Sequence, residues 1–457
     1  MFFKSPLRIL QFGFFTVGLI LFAGFANNCW AAASIESRIL PMRERAQWID
    51  QTMQKRVEVL LPGLMKSSNI DMWLLISREY NEDPVLKTML PAEWLSARRT
   101  TILVFARTAE GTVKAFAIAP YKVGSVFEKA WDKVNQPDQY KALNNLIAQF
   151  DPARIGINES EDWAHADGLV SGDKQRLVAK LPQKYRDRLV SAEYLAVGWL
   201  EQRIPEEVKQ LENMGAIAHQ IIAEGFSNAV IVPGKTTTED VVWWFRERVR
   251  ELKLQTWFHP SVSIQRSDKQ KFDHEDSFTN GYGDQIIQAG DLLHVDFGIS
   301  YLRMHTDTQQ HAYVLPEGQT QAPEYLTEAL QHGNQLQDIF TGRFAVGKTG
   351  NEVLQESREK AIALGLKPSI YTHPIGFHGH AAGTTLGMWD SQDGVPGDGD
   401  YPLHLNTAYS IELNNAMFIE PWDKEIRIML EEDAFFDKTG VWYLDGRQTE
   451  LLLIRPD

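Results

Sequence analysis

The chain has 457 residues, of which 44% are hydrophobic and 23% are charged, and its formal net charge at pH 7 is −14. This composition is typical of a globular protein and excludes a fibrous or a disordered chain. The length exceeds that of one ordinary core and predicts two domains. The excess of acidic residues argues against nucleic acid as a partner.

The N-terminal segment has the pattern of a secretory signal peptide. Lys4 and Arg8 precede an apolar run over residues 12–26, and residues 31–33 supply the small side chains of a cleavage site. We therefore predict a signal peptide at residues 1–33, a secreted or periplasmic protein, and no stable membrane insertion after cleavage. An uncleaved membrane anchor is the alternative, because the apolar run approaches the length of a spanning helix.

The single cysteine, Cys29, lies inside this segment. A chain cleaved after residue 33 has no cysteine, which excludes disulfides and thiolate metal ligands. Any metal ion must then be bound by aspartate, glutamate and histidine side chains.

Helical and strand patterns alternate after the predicted signal peptide. In chain order, apolar periodicity predicts a helix (Met42–Leu61), three strands (Ile70–Leu75, Thr100–Ala106 and Val113–Ala119), a helix (Ala142–Phe150) and a short strand (Arg154–Ile157). Such alternation predicts an α/β domain over residues 38–200. No catalytic cluster is evident within it.

A second domain is predicted over residues 205–457. Pro205 opens a helix with two acidic residues in its first turn, where the helix dipole favours negative charge. Another helix begins at Thr238, and strands are predicted around residues 262, 295 and 314. Long helices followed by strands indicate an α+β class for this domain.

Two aspartates mark the strand region of this second domain. Side chains alternate along residues 291–297, so Asp296 shares a face with His294. If the chain reverses at residues 301–302, Asp296 directly opposes Asp307, with Cβ atoms about 5 Å apart. Two carboxylates at that distance repel each other unless a cation or a proton lies between them. The pair is therefore a candidate metal site, although spacing alone also allows Asp307 to lie in a loop.

Further candidate ligands follow along the chain. They are three histidines within eight residues and three glutamates inside apolar strand patterns: His373, His378, His380, Glu412, Glu431 and Glu432. A singly buried charge is costly, and metal coordination is one of the few ways to tolerate it. Taken alone, each glutamate is better explained by exposure at a sheet edge than by metal coordination. The order of the whole set favours a metal site.

The order aspartate, aspartate, histidine, glutamate, glutamate resembles the creatinase, aminopeptidase P, prolidase and methionine aminopeptidase group, the "pita-bread" metallopeptidases. Asp296 and Asp307 match the two aspartates of that family, with the same separation of 11 residues. Glu412 matches its first glutamate. Glu431 matches its second, with Glu432 as the open alternative.

The histidine of the family lies in a Gly-His-x-x-Gly motif, which residues 379–383 match. The resemblance therefore makes His380 the ligand and leaves His378 as the open alternative. The family usually has another histidine shortly after this motif, and residues 385–390 contain none. It also usually has Glu-Pro-Gly where this chain has Glu412-Leu-Asn.

The resemblance implies a pita-bread catalytic domain at the C-terminus, preceded by a smaller α/β domain. It also implies two divalent metal ions, Mn²⁺ by preference and Co²⁺ or Zn²⁺ as alternatives. Five residues would hold them: Asp296, Asp307, His380, Glu412 and Glu431. A metal-activated hydroxide would attack the scissile carbonyl, and Glu412 would also transfer the proton. His274 and His378 would contact the substrate or the developing oxyanion.

The activity implied is a secreted peptidase that removes N-terminal residues or splits dipeptides, with Xaa-Pro bonds as the expected substrate. No nucleic acid partner is expected, and a homo-oligomer is possible. A creatinase-type hydrolase of a small C–N substrate is one alternative. A non-catalytic pita-bread domain used for binding is the other. Measured metal content distinguishes the peptidase from the creatinase-type hydrolase. Hydrolysis of Xaa-Pro peptides that a chelator abolishes distinguishes the peptidase from the binding domain.

Overall fold

A six-stranded mixed sheet forms the core of the N-terminal part. The computed structural model describes residues 34–279, 281 and 283–455. The strands of the first sheet are β1 (Met72–Arg78), β2 (Thr100–Arg107), β3 (Val113–Ile118), β4 (Glu128–Lys129), β5 (Ile155–Ile157) and β6 (Leu189–Ser191), in the spatial order β4-β3-β2-β1-β5-β6. Strands β1, β2 and β3 pair antiparallel, whereas β5 and β6 extend the sheet in parallel.

Seven helices accompany this sheet. They are α1 (Met42–Val59), α2 (Leu61–Ser67), α3 (Pro84–Met89), α4 (Gln139–Phe150), α5 (Ser171–Lys180), α6 (Gln183–Arg186) and α7 (Glu193–Glu201). The α/β character of this part is confirmed. The strand predicted from residue 70 begins at Met72, because Ile70 and Asp71 form the turn that leaves α2.

A nine-stranded sheet forms the core of the C-terminal part. Its strands are β7 (Ser261–Gln265), β8 (Leu292–Phe297), β11 (Thr308–Val314), β12 (Pro368–Ile370), β13 (His373–Pro374), β14 (Thr407–Ile419), β15 (Lys424–Asp437), β16 (Gly440–Tyr443) and β17 (Leu452–Ile454). Strands β9 (Ser300–Tyr301) and β10 (Met304–His305) form a separate hairpin. The main path runs β12-β14-β15-β11-β8-β7.

Five helices belong to this part: α8 (Pro205–Gly225), α9 (Thr238–Glu251), α10 (His274–Phe278), α11 (Glu324–Thr341) and α12 (Gly350–Ala363). Helix α9 begins with a capping box, in which Thr237 and Asp240 each bind the backbone amide of the other. Helices α8 and α9 contact β7, β8 and β11, and α11 and α12 contact β12, β14 and β15.

Polar residues occupy the face of the C-terminal sheet that the helices do not cover. Val295 of β8 packs into the core with α8 and α9, and Ile411 and Leu430 pack with α11 and α12. Because side chains alternate along a strand, the neighbours of these residues, Asp296, Glu412 and Glu431, face away from the helices. The predicted α+β class with a C-terminal pita-bread sheet is confirmed.

The described residues Ile35 onward form one compact unit. The two sheets fall on either side of residues 195–205, but the division into domains at 38–200 and 205–457 stays a prediction. The signal peptide predicted at residues 1–33 lies outside the described residues. Within the part that is described, no helix has both the length and the apolar character needed to cross a membrane.

Candidate metal centre

Four neighbouring strands place a row of polar residues across the C-terminal sheet. Asp296 of β8 pairs with Gln309 of β11, Gln309 pairs with Glu431 of β15, and Glu431 pairs with Glu412 of β14. Directly paired residues share a face of the sheet, so their side chains converge. The row therefore brings together three of the four predicted acidic ligands.

Asp307 completes the acidic cluster from the end of the hairpin. Ligand atoms of Asp296, Asp307 and Glu431 all lie within 4.8 Å of one another. The predicted reversal at residues 301–302 required Asp307 to oppose Asp296 directly. In the structure it does not. The chain turns one residue later, at Leu302–Arg303, and places Gln309 opposite Asp296. Asp307 lies in the short connection between β10 and β11, as the loop alternative allowed, and reaches the cluster diagonally.

The histidine that enters this cluster most deeply is His373. Its Nε2 lies 3.6 Å from Oε1 of Glu431 and 3.8 Å from Oδ2 of Asp307. Its Nδ1 lies 3.0 Å from the carbonyl oxygen of Pro374, which can only accept, so Nδ1 is the donor and Nε2 is the ring nitrogen that faces the carboxylates. His373 pairs with Ser410 on β14, which fixes it beside Glu412.

His380, the predicted ligand, lies at the edge of the same cluster. It has a ligand atom within 4.8 Å of Asp307 and His373, but it is exposed and belongs to neither group that contains Glu431. Its ring packs edge-on against Trp257 at 5.2 Å between centroids. The absence of a side chain at Gly379 allows this contact, because a Cβ there would lie 2.4 Å from the indole.

His378 does not join the cluster. Its ring packs on His165 of the N-terminal part, with 4.2 Å between centroids, and it lines a different cavity. Burial, with His165 as a further cause, lowers the pKa of His378 to about 3, so its imidazole is neutral. The chain turns between His378 and His380 and presents only the latter to the carboxylates. A contact between His378 and the substrate stays a prediction.

Glu432 points away from the cluster. It alternates with Glu431 along β15, and its carboxylate accepts hydrogen bonds from Gln310 and from the amide of Gln448. It also lies 2.5 Å from Nε2 of His219. These contacts place Glu431, and not Glu432, with the other carboxylates.

His274 lies at the mouth of the catalytic cavity, at the start of α10. Its ring stacks on Trp389, with 4.8 Å between centroids and 15° between planes. Burial, with Arg427 as a further cause, lowers its pKa. The cavity of about 320 Å³ is lined by the four carboxylates and by aromatic side chains that include Trp257, Phe258 and Phe278.

The carboxylates are packed too closely for all of them to be charged without a counter-ion. Burial, followed by the charge of Glu431, raises the pKa of Asp296, Asp307 and Glu412 well above their ordinary values. Oδ1 of Asp296, Oδ1 of Asp307 and Nε2 of His373 are buried without a hydrogen-bond partner. Oxygen and imidazole ligands that lack partners suit divalent cations.

A model of metallopeptidase family M24 matches residues 209–437. The chain belongs to this family. Family M24 uses divalent metal ions, and the unpartnered oxygen and nitrogen atoms of the cluster fit that requirement. The chain is therefore a metallopeptidase, and its substrate is a peptide.

Solved structures share the fold of this M24 chain at low sequence identity. An X-Pro aminopeptidase from Thermotoga maritima is 13% identical, with a TM-score of 0.59 over 86% of this chain and 99% of that one. An Xaa-Pro dipeptidase from Bacillus anthracis is 15% identical, with a TM-score of 0.55 over 90% and 100%. The N-terminal domain of the FACT complex subunit SPT16 from Cicer arietinum is 12% identical, with a TM-score of 0.54 over 89% and 99%. No curated protein sequence matches this chain significantly.

Three residues of the M24 site, Gln309, Ser410 and Tyr371, escaped the sequence analysis, and a fourth, His373, was a candidate there but was not assigned as the ligand. Gln309 donates to Glu412 at 3.0 Å and to Glu431 at 2.7 Å, and Ser410 donates to Glu431 at 2.6 Å. Tyr371 lines the cavity beside both His373 and His380. For His373 a signal was present, because Gly376 follows it at the third position, as Gly383 follows His380. Gln309, Ser410 and Tyr371 carried no comparable signal.

Proposed function

We propose that this metallopeptidase hydrolyses the N-terminal bond of peptides or the bond of dipeptides, with Xaa-Pro as the preferred sequence. The row of paired residues Asp296, Gln309, Glu431 and Glu412, closed by His373, is the observation that carries the proposal. Together with Asp307, the row brings hard and borderline ligands together on one face of the sheet.

Asp296, Asp307, His373, Glu412 and Glu431 are the residues that we assign to two divalent ions. When bound, such ions lower the pKa of water and polarise the scissile carbonyl. We propose Mn²⁺, with Co²⁺ and Zn²⁺ as alternatives, because all the ligands are carboxylates or imidazole. His373 replaces His380 in this assignment, since His373 alone is near Glu412, Glu431 and Asp307 together.

Glu412 has the position for proton transfer. Its carboxylate lines the cavity and accepts a hydrogen bond from Gln309, which fixes its orientation. Burial and the charge of Glu431 raise its pKa in the metal-free protein. Glu412 would therefore take the proton of that water and deliver it to the leaving amine.

His380, Tyr371 and His274 surround the space where the substrate would lie. His380 is exposed to the cavity, but the protein around the rest of its ring desolvates it and lowers its pKa to about 3, so the ring is neutral and offers one N–H donor. Burial raises the pKa of Tyr371, and its hydroxyl stays protonated as a second donor. These donors would bind the carbonyl oxygen on which negative charge develops. His274 and Trp389 would cover the substrate from outside.

The aromatic walls support a preference for proline. Trp257, Phe258, Phe278 and Trp389 line the cavity, and a pyrrolidine ring packs well on such faces. The cavity of about 320 Å³ suits a small peptide segment. Two proteins of similar fold are an X-Pro aminopeptidase and an Xaa-Pro dipeptidase, which is consistent with this preference.

We also propose that the chain is exported and loses residues 1–33. Lys4, Arg8 and the apolar run after them support this proposal. N-terminal sequencing of protein recovered from the producing cell tests it. A mature chain that begins near Ser34 supports export, and an intact Met1 contradicts it.

The peptidase proposal is tested with the chain from residue 34 onward, reconstituted with Mn²⁺ and assayed on Xaa-Pro peptides of two to five residues. We expect chelator-sensitive release of the N-terminal residue, and Asp307→Asn should abolish it. Matched Xaa-Ala peptides test the preference for proline. Bound metal without peptide hydrolysis favours a creatinase-like hydrolase, and neither metal nor hydrolysis favours a binding domain.

A further inference from the structure

A basic groove adjoins the catalytic cavity. The groove has a volume of about 730 Å³ and is formed by α1, α3, the segment before β7 and the β9–β10 hairpin. Among the described residues, every charged side chain that lines it, histidine aside, is a cation: Arg45, Lys87, Lys253 and Arg303. The chain as a whole has 60 acidic and 46 basic residues, so the charge of the groove is opposite in sign to the net charge of the chain.

The charges of these cations are not neutralised within the groove. Arg45 donates to two backbone carbonyl oxygens, each at 2.7 Å, and Arg303 donates to three others. Carbonyl oxygens satisfy the guanidinium hydrogens but leave the positive charge in place. The nearby negative charge that acts on Arg303 is that of Asp50, which does not line the groove. The carboxylate of Asp50 also accepts a hydrogen bond from the amide of Ala92. Lys87 and Lys253 are exposed to solvent.

The groove also presents apolar surface. Trp94 and Leu254 line it, and two further lining residues, Met42 and Leu95, are 69% and 91% exposed. Large apolar side chains that remain exposed beside a cavity are typical of a binding surface. The combination of cations and apolar side chains suits an extended peptide that carries acidic residues.

Trp257 connects the groove to the catalytic cavity, because it lines both. Its Nε1 donates to the carbonyl oxygen of Thr306 at 2.9 Å, which holds the indole in place. The ring lies 5.2 Å from His380 on the catalytic side and 6.1 Å from His305, which lines the groove. An extended substrate peptide spans the sum of these two distances with roughly three residues.

We propose that the basic groove binds the C-terminal extension of the peptide substrate and prefers acidic side chains at about the fourth to sixth residues. This inference rests on the proposed peptidase function and narrows it. The substrates are oligopeptides with acidic residues downstream of the cleaved bond, and dipeptides use the catalytic cavity alone. The groove supplies affinity, so it acts on KM and leaves kcat unchanged.

The test compares Ala-Pro-Gly-Glu-Glu-Glu with Ala-Pro-Gly-Gln-Gln-Gln on the Mn²⁺-loaded chain. We expect KM to be about tenfold lower for the acidic peptide, with equal kcat. The double variant Lys87→Glu, Lys253→Glu should raise KM for the acidic peptide about tenfold and leave Ala-Pro hydrolysis unchanged. The matched control is Lys209→Glu, Lys360→Glu, which makes the same charge change at exposed positions elsewhere.

Direct binding separates the groove from catalysis. Acetyl-Gly-Glu-Glu-Glu, which has no free N-terminus to be cleaved, should bind the wild type and lose affinity in the groove variant only. Binding without any Xaa-Pro hydrolysis would contradict the peptidase function and retain the groove. Xaa-Pro hydrolysis with equal KM for both hexapeptides would contradict the proposal that the groove binds acidic residues of the substrate. Displacement of the acetylated peptide by inorganic phosphate at equal concentration would also overturn it, in favour of a site for small anions.

Discussion

Nε2 of His373 lies 3.6 Å from Oε1 of Glu431, and both side chains are buried. The hydrogen bond from Nδ1 to Pro374 orients the ring so that Nε2 faces the carboxylates. His380 makes its contacts with aromatic rings and is exposed to the cavity. The two histidines therefore have different roles, although only seven residues separate them in the chain.

The first prediction separates these roles by metal content. His373→Ala should lower bound metal strongly, because His373 is the only imidazole among the described residues that lies near Glu412, Glu431 and Asp307 together. His380→Ala should retain the metal and lower kcat by about 100-fold, as expected for the loss of a donor to the developing oxyanion. Elemental analysis of both variants and steady-state kinetics check this. Metal loss in His380→Ala with full metal in His373→Ala would reverse the assignment.

Sequence spacing could not decide between these histidines. Both are followed by glycine at the third position, and the deciding fact is the pairing of His373 with Ser410, 37 residues away. The choice between Glu431 and Glu432 likewise depended on the pairing of β14 with β15, which puts Glu431 opposite Glu412. The identities of the acidic ligands followed from local sequence, whereas the side that each faces followed from long-range register.

The second prediction concerns Gln309, which binds two carboxylates of the cluster at once. Gln309→Ala should lower the affinity for Mn²⁺ by about 10- to 100-fold, because the orientation of Glu412 and Glu431 is no longer fixed. Titration of the metal-free protein with Mn²⁺ measures this affinity. The control is Gln310→Ala, whose amide binds Glu432 on the opposite side of β11. Equal loss of Mn²⁺ affinity in both variants would exclude a specific role for Gln309.

The hairpin shows why the register was predicted incorrectly. Leu302 and Arg303 form its turn with φ values of 53° and 67°, a conformation that usually requires glycine or asparagine. Neither residue signals such a turn. The hydrogen bonds from Arg303 to three carbonyl oxygens of residues 88–91 hold it there. Tertiary contacts thus impose a turn that local sequence does not predict, and the register shifts with it.

The third prediction concerns Tyr371, which faces the cluster of carboxylates from the edge of the sheet. Its amide donates to the carbonyl oxygen of Glu412 at 3.1 Å, which fixes the ring beside His373. Tyr371→Phe should lower kcat about tenfold to 100-fold with unchanged metal content, because one hydroxyl donor is lost. Tyr325→Phe, remote from the cavity, is the control. An unchanged kcat in Tyr371→Phe contradicts a contact with the substrate.

The fourth prediction concerns the stability that His219 contributes through Glu432. Nε2 of His219 lies 2.5 Å from Glu432 and Nδ1 lies 2.8 Å from Asp445. Burial alone lowers the pKa of His219, but the charge of Glu432 and the hydrogen bonds with Asp445 and Glu432 raise it to about 10. Because the folded value exceeds the ordinary 6.5, this stability is complete below pH 6.5 and is lost as the pH rises through about 10.

The measurement is the free energy of unfolding of the wild type and of His219→Gln between about pH 6 and about pH 10. At the acidic end His219→Gln should be less stable by about 3 kcal/mol, because the buried carboxylate of Glu432 loses its cationic partner. The difference should shrink steadily towards pH 10, as the imidazole of the wild type loses its proton. His259→Gln, a change at an exposed histidine, should follow the wild type throughout. A difference that stays constant across this range would show that His219 is neutral in the folded protein and that the pair with Glu432 is an uncharged hydrogen bond.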